Sequence, residues 1–219
     1  MITVIVPALN EEGVIAGALE SLSCQGGAWE AIVVDGGSTD RTREVARRYA
    51  RVLTSGRGRA RQMNAGAEAA RGEVLLFLHA DSKLQPGALA EVGRAVEGGA
   101  VGGGFRLRLE GGRLYGLISR LASLRARLEG IYLGDHAIFV ARDAFTAVGG
   151  FRALPLMEDV DLCRRLKAQG RLVQLGMEVR SSPRRLQGRV LRTLFLMQVL
   201  RLLYYLGVPP ARLEALYGR

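Results

Sequence analysis

The sequence predicts an α/β domain: a doubly wound, mainly parallel sheet flanked by helices, followed by a basic helical C-terminal segment. Two observations carry the prediction. Short, continuous apolar runs alternate with segments of helical period over the first eighty residues, and the connections between them are short, which is the grammar of parallel strands joined by crossover helices. The runs themselves also read as strands covered on both faces, because they lack the alternation of a half-exposed strand.

Ile2 to Val6 is the first such strand, and Glu11 to Leu22 follows as a helix with Val14, Ile15, Ala18, Leu19 and Leu22 at helical spacing. Ala31 to Val34 is the second strand, after which Ser38, Thr39 and Asp40 offer N-cap residues for a helix reaching Tyr49. Arg51 to Thr54 is a short strand, Arg59 to Ala70 an Ala-rich helix, and Glu73 to Leu78 the fourth strand. Beyond Asp81 the pattern changes. A helix over Pro86 to Val96 precedes a Gly-rich stretch in which Phe105, Leu107 and Leu109 alternate with Arg106 and Arg108. A helix from Arg113 to Leu128, the strand "AIFVAR" and a helix beginning near Glu158 complete the domain. Residues 1–179 form that domain, with a nucleotide-binding half over about 1–82 and an acceptor half over about 83–179. Residues 180–219 form a tail with eight arginines and one acid, Glu214. Its segment "VLRTLFLMQVLRLLYYLG" is a basic amphipathic helix, interrupted by Arg192, Gln198 and Arg201, that either packs on the domain or lies along a membrane surface.

A formal charge of +10 on 219 residues points to anionic partners: phosphorylated small molecules, nucleic acid or an acidic membrane face. Of the 31 basic residues only Lys83 and Lys167 are lysines; the rest are arginines, which grip phosphate oxygens in pairs. Biased composition gives the same excess. No nucleic acid is expected, because recognition motifs are absent and few aromatics are interleaved with the basic runs. Cys24 and Cys163 match no metal or redox spacing and read as idle thiols of a reducing cytosol. The N-terminus lacks a basic leader and a cleavage site, so a cytoplasmic location is expected, with peripheral attachment to the inner face of the membrane as the alternative for the tail.

In open parallel α/β sheets ligands sit beyond the carboxyl ends of the strands. There the first strand offers Asn10, Glu11 and Glu12, the second Asp35, and the fourth His79 and Asp81. Each also has a structural role open to it: Asp35 as a turn cap, Glu11 and Glu12 as partners of a helix N-terminus. A phosphate loop of the Gly-Lys-Ser/Thr type is absent, and "PALNEEG" stands where a dinucleotide fingerprint would. An acidic site that must hold phosphate does so most easily through a divalent cation.

The ordered segments "ITVIVPALNEE", "AIVVDGGSTDRT", "GEVLLFLHADS" and "PLMEDVDLCRRL" resemble the family 2 glycosyltransferases, which have the GT-A fold. The resemblance covers about residues 1–170, and "GRARQMNAGAEAARGEVLLFLHAD" with "LGDHAIFVARDAFTAVGGF" is similar to a small bacterial subgroup. It implies a nucleoside-diphosphate-sugar donor, a hydroxyl-bearing acceptor that can be lipid-linked, and a divalent metal, Mn or Mg. Pro7, Glu11 and Asp35 are implied to line the nucleotide pocket, with Arg57, Arg59 or Arg61 reaching base or phosphates. His79-Ala80-Asp81 stands in the family's Asp-x-Asp place, which makes Asp81 the implied metal ligand and His79 a departure. Gly36 is a second departure, where many relatives carry another Asp.

The resemblance gives Asp159 the role of base in an inverting transfer, with Glu158 and Asp161 supporting it. A base of this kind takes the acceptor's proton as oxygen attacks the anomeric carbon. The alternative is that these acids only complement a helix N-terminus. His136 is a candidate contact for donor phosphate or acceptor, or an ordinary hydrogen-bonded histidine. Two rival readings remain: a noncatalytic basic module binding acidic membrane or RNA, and a sugar nucleotidyltransferase, whose Gly-rich first loop this chain lacks.

Overall fold

A computed structural model describes residues 1–185 and 190–217. In chain order the elements are β1 (Ile2–Ala8), α1 (Ile15–Ser23), β2 (Trp29–Asp35), α2 (Thr42–Ala46), β3 (Arg51–Thr54), α3 (Arg59–Ala69), β4 (Val74–Phe77) and β5 (Ser82–Leu84). There follow α4 (Ala88–Glu97), β6 (Gly102–Leu109), α5 (Arg113–Glu129), β7 (Ile138–Ala141), α6 (Arg142–Ala147), α7 (Glu158–Lys167), β8 (Leu172–Ser181), α8 (Val190–Tyr205) and α9 (Pro210–Tyr217). The strands form one sheet in the order β3-β2-β1-β4-β7-β6-β8-β5. β1 to β4 are mutually parallel, β7 runs antiparallel to β4 and β6, and β6 runs parallel to β8.

The apolar runs are strands for the reason their sequence implies: both faces are covered. Val4, Val6 and Leu76 point to one layer with Ile15, Leu19 and Leu22 of α1 and Leu89 and Val92 of α4. Ile5, Ile32, Val34, Leu75 and Phe77 point to the other, against Met63 and Ala67 of α3 and Leu162 and Leu166 of α7. The second layer closes on an aromatic cluster in which Phe77 lies 4.9 Å from Phe151 and 5.4 Å from Phe145 between ring centroids. α3 lies close on the sheet because Gly66 faces β1; a Cβ there would come within 2.4 Å of Ile5.

Several elements depart from the sequence reading. The helix expected from Glu11 is regular only from Ile15, and the backbone N–H groups of residues 10 to 12 bond to the side chains of Ser38, Thr42 and Asp40. The helix expected to reach Tyr49 is regular only over Thr42–Ala46. β5, β8 and α6 were not anticipated, and β8 runs through the expected boundary at 179/180. The predicted tail includes residues 186–189, which lie outside the described residues. Beyond them, α8 buries Leu200 and α9 buries Leu213 in a cluster with Ala126, Tyr132 and Val160, so the tail packs on the domain through one side. No described helix is long and apolar enough to cross a membrane.

Candidate active site

Register sets where the site lies. Ala8 pairs with Asp35 and Asp35 with Thr54, so the ends of β1, β2 and β3 are level. Leu78 donates its N–H to the Ile5 carbonyl, which brings His79 to the same edge. The edge opens into a cavity of about 260 Å³ lined by Pro7, Glu11, Arg57, Arg59, Gln62, His79 and Asp81, among others. Of the residues singled out from sequence, Pro7, Glu11, Arg57 and Asp81 therefore meet in one place, joined by Arg59 and His79.

The sequence reading missed a basic residue that joins two members of this group. Arg184 donates from Nε to Asp81 Oδ2 at 3.1 Å and from Nη2 to Glu11 Oε2. Burial weakens the guanidinium's hold on its proton, but the hydrogen bonds and charges of Glu11 and Asp81 outweigh that effect and raise its pKa. Its reach follows from topology. Ser82 at the start of β5 pairs with Ser181 at the end of β8, and Ser182 donates its N–H to the Asp81 carbonyl at 3.3 Å. A turn over Pro183–Arg185 follows, and from it the Arg184 side chain reaches the two lining carboxylates.

Asp35 does not line the cavity. Its fully buried carboxylate accepts from the backbone N–H groups of Gly37 and Ser38 at 3.1 and 3.0 Å, and Arg43 Nε stands 3.8 Å away. That turn in turn holds the segment after β1: Asn10 N–H donates to Ser38 Oγ and Glu11 N–H to Thr42 Oγ1. Asp35 thus acts on the site by fixing the loop that presents Glu11. Gly36 has a packing cause as well. Gln62 donates to the carbonyls of Ala8 and Val34 at 2.8 Å each, and a Cβ on Gly36 would meet its side chain at 3.0 Å. A side chain at position 36 would require that amide to give by a few tenths of an ångström.

Arg61 is exposed, lies beside Gly56 and is not part of the lining, so of the three expected arginines only Arg57 and Arg59 face the cavity. His136 also stands apart from the cavity. It is fully buried, its Nδ1 lies 2.9 Å from the Phe105 carbonyl, and it does not line the cavity. Its place is that of a core histidine tying the turn before β7 to β6.

The acids of α7 lie beside the cavity. Glu158 is almost fully buried and pairs through Oε1 with Arg59 Nη2 at 2.7 Å, while its Oε2 has no hydrogen-bond partner among the described residues. Burial first, and the neighbouring Asp159 second, raise its pKa against the opposing pull of Arg59. Asp159 Oδ2 accepts the Gly134 N–H at 2.9 Å. Gly134 also packs under His79: a Cβ there would stand 2.3 Å from the imidazole Nε2. His79, a cavity wall, is therefore one residue away from the carboxylate predicted to act as base. Asp161 is held between Arg152 at 3.2 Å and Arg165 at 2.7 Å, which secures the first turn of α7.

Among the described residues the non-glycine residues at positive φ are Asn10, Ala137 and Met157, at 54°, 49° and 68°. Asn10 follows β1 just before Glu11, and Met157 immediately precedes Glu158. Backbone held in this region is costly and persists where the surroundings over-determine it, as at binding sites. Among the described residues no group of three or more His, Cys, Asp or Glu side chains is placed to hold a metal. Cys24 is exposed and Cys163 buried, neither in a disulfide; burial pushes the Cys163 thiol up to about 12, which keeps it protonated and inert.

Solved structures share this architecture. A mannosyltransferase of Pyrobaculum calidifontis in complex with GDP-Man and Mn2+ superposes with a TM-score of 0.68 at 20% identity, over 92% of this chain and 61% of that one. Glucosyl-3-phosphoglycerate synthase of Mycobacterium tuberculosis, in complex with Mn2+, UDP and glucosyl-3-phosphoglycerate, gives 0.63 at 24%, over 95% and 81%. S. aureus TarS 1-349 with UDP-GlcNAc gives 0.67 at 21%, over 83% and 58%. These likenesses show the fold, the GT-A fold expected from the sequence. By sequence, a PGL/p-HBAD biosynthesis glycosyltransferase of M. tuberculosis is 38% identical over 93 residues, 38% of this chain and 36% of that protein. An uncharacterised M. tuberculosis protein is 30% identical over 199 residues, 76% of this chain and 61% of that one. The chain thus spans about a third of the first of these relatives. The glycosyl transferase family 2 model matches residues 3–154, well over half of the chain, and on that match, with the fold and the strand-end cavity beside it, the chain belongs to glycosyl transferase family 2.

Proposed function

We propose that the chain moves a sugar from a nucleoside-diphosphate donor to an acceptor hydroxyl, with inversion at the anomeric carbon. The observation that carries the reading is the convergence of Glu11 and Asp81 with Arg57, Arg59 and Arg184 around one strand-end cavity. Acids from two strands and bases from two other segments suit a ligand that joins a neutral, hydrogen-bonding base to a diphosphate. Pro7 and Glu11 take the nucleoside, Arg57 and Arg59 the phosphates.

Asp81 is the residue that would hold a divalent cation, Mn or Mg. Such a cation needs only one or two carboxylates when phosphate oxygens and water complete its shell, and a single carboxylate without a protein cage fits that mode. When bound, it neutralises charge on the departing diphosphate. Arg184 supplies positive charge from the chain itself. Without donor it satisfies Asp81 and Glu11; with donor it exchanges them for phosphate oxygens, which leaves both carboxylates available to the ligand.

Asp159 takes the proton of the acceptor hydroxyl as that oxygen bonds to the anomeric carbon and the bond to the diphosphate oxygen breaks. The Gly134 N–H fixes its carboxylate, and Glu158, held by Arg59, links the base to the phosphate-binding side. A lipid-linked acceptor at the inner face of an acidic membrane extends the reading; its support is the basic, partly exposed apolar surface of the C-terminal helices.

Incubation with UDP- and GDP-sugars and Mn2+ tests this function. Release of nucleoside diphosphate that falls roughly 10²-fold in Asp159→Asn is expected, the scale for losing a positioned base. Release of pyrophosphate would indicate a nucleotidyltransferase instead.

A further inference from the structure

α5 is turned the opposite way from an ordinary surface helix. Its buried residues are small, Ser119, Ser123 and Ala126, whereas Leu114, Leu117, Leu121, Leu124 and Leu128 are 51%, 55%, 58%, 53% and 76% exposed. Spacings of three and four make those leucines one continuous stripe along the helix. The orientation is fixed by hydrogen bonds that no rotation preserves: Leu107 N–H donates to Ser123 Oγ at 2.9 Å and Leu109 N–H to Ser119 Oγ at 2.8 Å. The stripe therefore faces out as a consequence of the fold, and an exposed apolar row of this length marks a contact surface.

Charge says what covers it. Arg113, Arg120 and Arg127, seven residues apart, flank the stripe along one side; all are exposed and have no acidic partner among the described residues. The only acid of α5, Glu129, is engaged by Arg125 and Arg201, each at 3.3 Å. A second copy of this helix would bring like-charged arginine rows together with no acid to meet them, which disfavours pairing. A bilayer with anionic headgroups suits both features, taking leucines into the interface and arginines at the phosphates. We infer that α5 is a membrane-docking surface, which seats the domain on an acidic lipid face independently of the C-terminal helices. The inference deepens the membrane attachment proposed above, yet rests on α5 alone.

The full chain is sedimented with vesicles of phosphatidylcholine alone or with phosphatidylglycerol. Binding to the anionic vesicles, weakening as salt rises, is expected. Leu117→Ser/Leu121→Ser/Leu124→Ser lowers it by about tenfold or more through lost interfacial burial. Arg113→Gln/Arg120→Gln/Arg127→Gln lowers it on the order of a hundredfold at low salt, from about 1 kcal/mol per basic contact. Unchanged circular dichroism and melting show that both variants fold. Phe195→Ser/Leu202→Ser/Leu206→Ser separates the two membrane readings. If that variant alone abolishes vesicle binding, the tail is the anchor and the α5 inference is overturned. It is equally overturned by a wild-type chain that ignores anionic vesicles, or by a dimer that the leucine variant converts to a monomer. Nucleotide-diphosphate binding measured on the same variants stays at wild-type affinity if only docking is altered, and its absence from the wild type would count against the donor site instead.

Discussion

Arg184 and Glu158 are charged residues of the candidate site whose surroundings raise their pKa. Arg184→Ala leaves Asp81 and Glu11 without their shared counter-ion and removes the proposed donor to phosphate. The expected result is at least about tenfold weaker binding of nucleoside diphosphate in EDTA, since a charged hydrogen bond contributes about 1.5–3 kcal/mol, with a larger rescue by Mn2+ than in the wild type. Calorimetric titration with and without the metal checks it, and equal affinities in EDTA would remove Arg184 from the donor site. Glu158 makes a prediction about pH. Its pKa is raised above the ordinary 4.5, so the folded state binds the proton more tightly than the unfolded state. The associated stability is complete below the ordinary value and is lost as pH rises through the raised one. Glu158→Gln removes that dependence: melting temperatures of variant and wild type should coincide near pH 4 and diverge in favour of the variant as pH rises. A pH-independent difference would contradict the assignment. Glu11 and Asp81 were legible in the sequence because their distance from a strand end fixes where they stand. Arg184 was not, because its partners lie 103 and 173 positions away and meet it only through the pairing of β5 with β8.

Elements divide in the same way. β1, β2 and β4 could be read directly, since burial on both faces demands uninterrupted apolar sequence, and the helices between them follow from period and length. β8 is half-buried and interrupted by Gly176, and β5 has three residues, so neither carries a pattern long enough to stand out. α5 is more instructive. Its leucine period correctly gives a helix, but period alone assigns the leucines to the core, and the structure places them outside. What overrides the period is a pair of hydrogen bonds from the preceding strand, β6, to Ser119 and Ser123. Ser123→Ala strands the buried Leu107 N–H, a loss of about 1–3 kcal/mol, offset by a few tenths from the better helix former. Chemical denaturation of that variant should show a lower midpoint at unchanged slope; no change in midpoint would mean that the serine does not fix the helix.

Across the whole molecule, one sheet edge collects the residues proposed to bind the donor, and another surface faces outward with apolar and basic groups. The two carboxylates proposed for the reaction come from different elements, Asp81 after β4 and Asp159 in the first turn of α7, and His79 packs on Gly134, whose N–H holds Asp159. Such a division predicts separable losses. Asp81→Asn should weaken donor binding and blunt its response to Mn2+, because a neutral amide is a poor ligand for a hard cation. Asp159→Asn should bind donor as the wild type does while turning over roughly 10²-fold more slowly. The most direct measurement is therefore calorimetric titration of one nucleotide-sugar, with Mn2+ present, into the wild type and these two variants side by side. Wild-type affinity in Asp159→Asn and a clear loss in Asp81→Asn are expected; loss of binding in Asp159→Asn with full affinity and metal response retained in Asp81→Asn would contradict this division of roles.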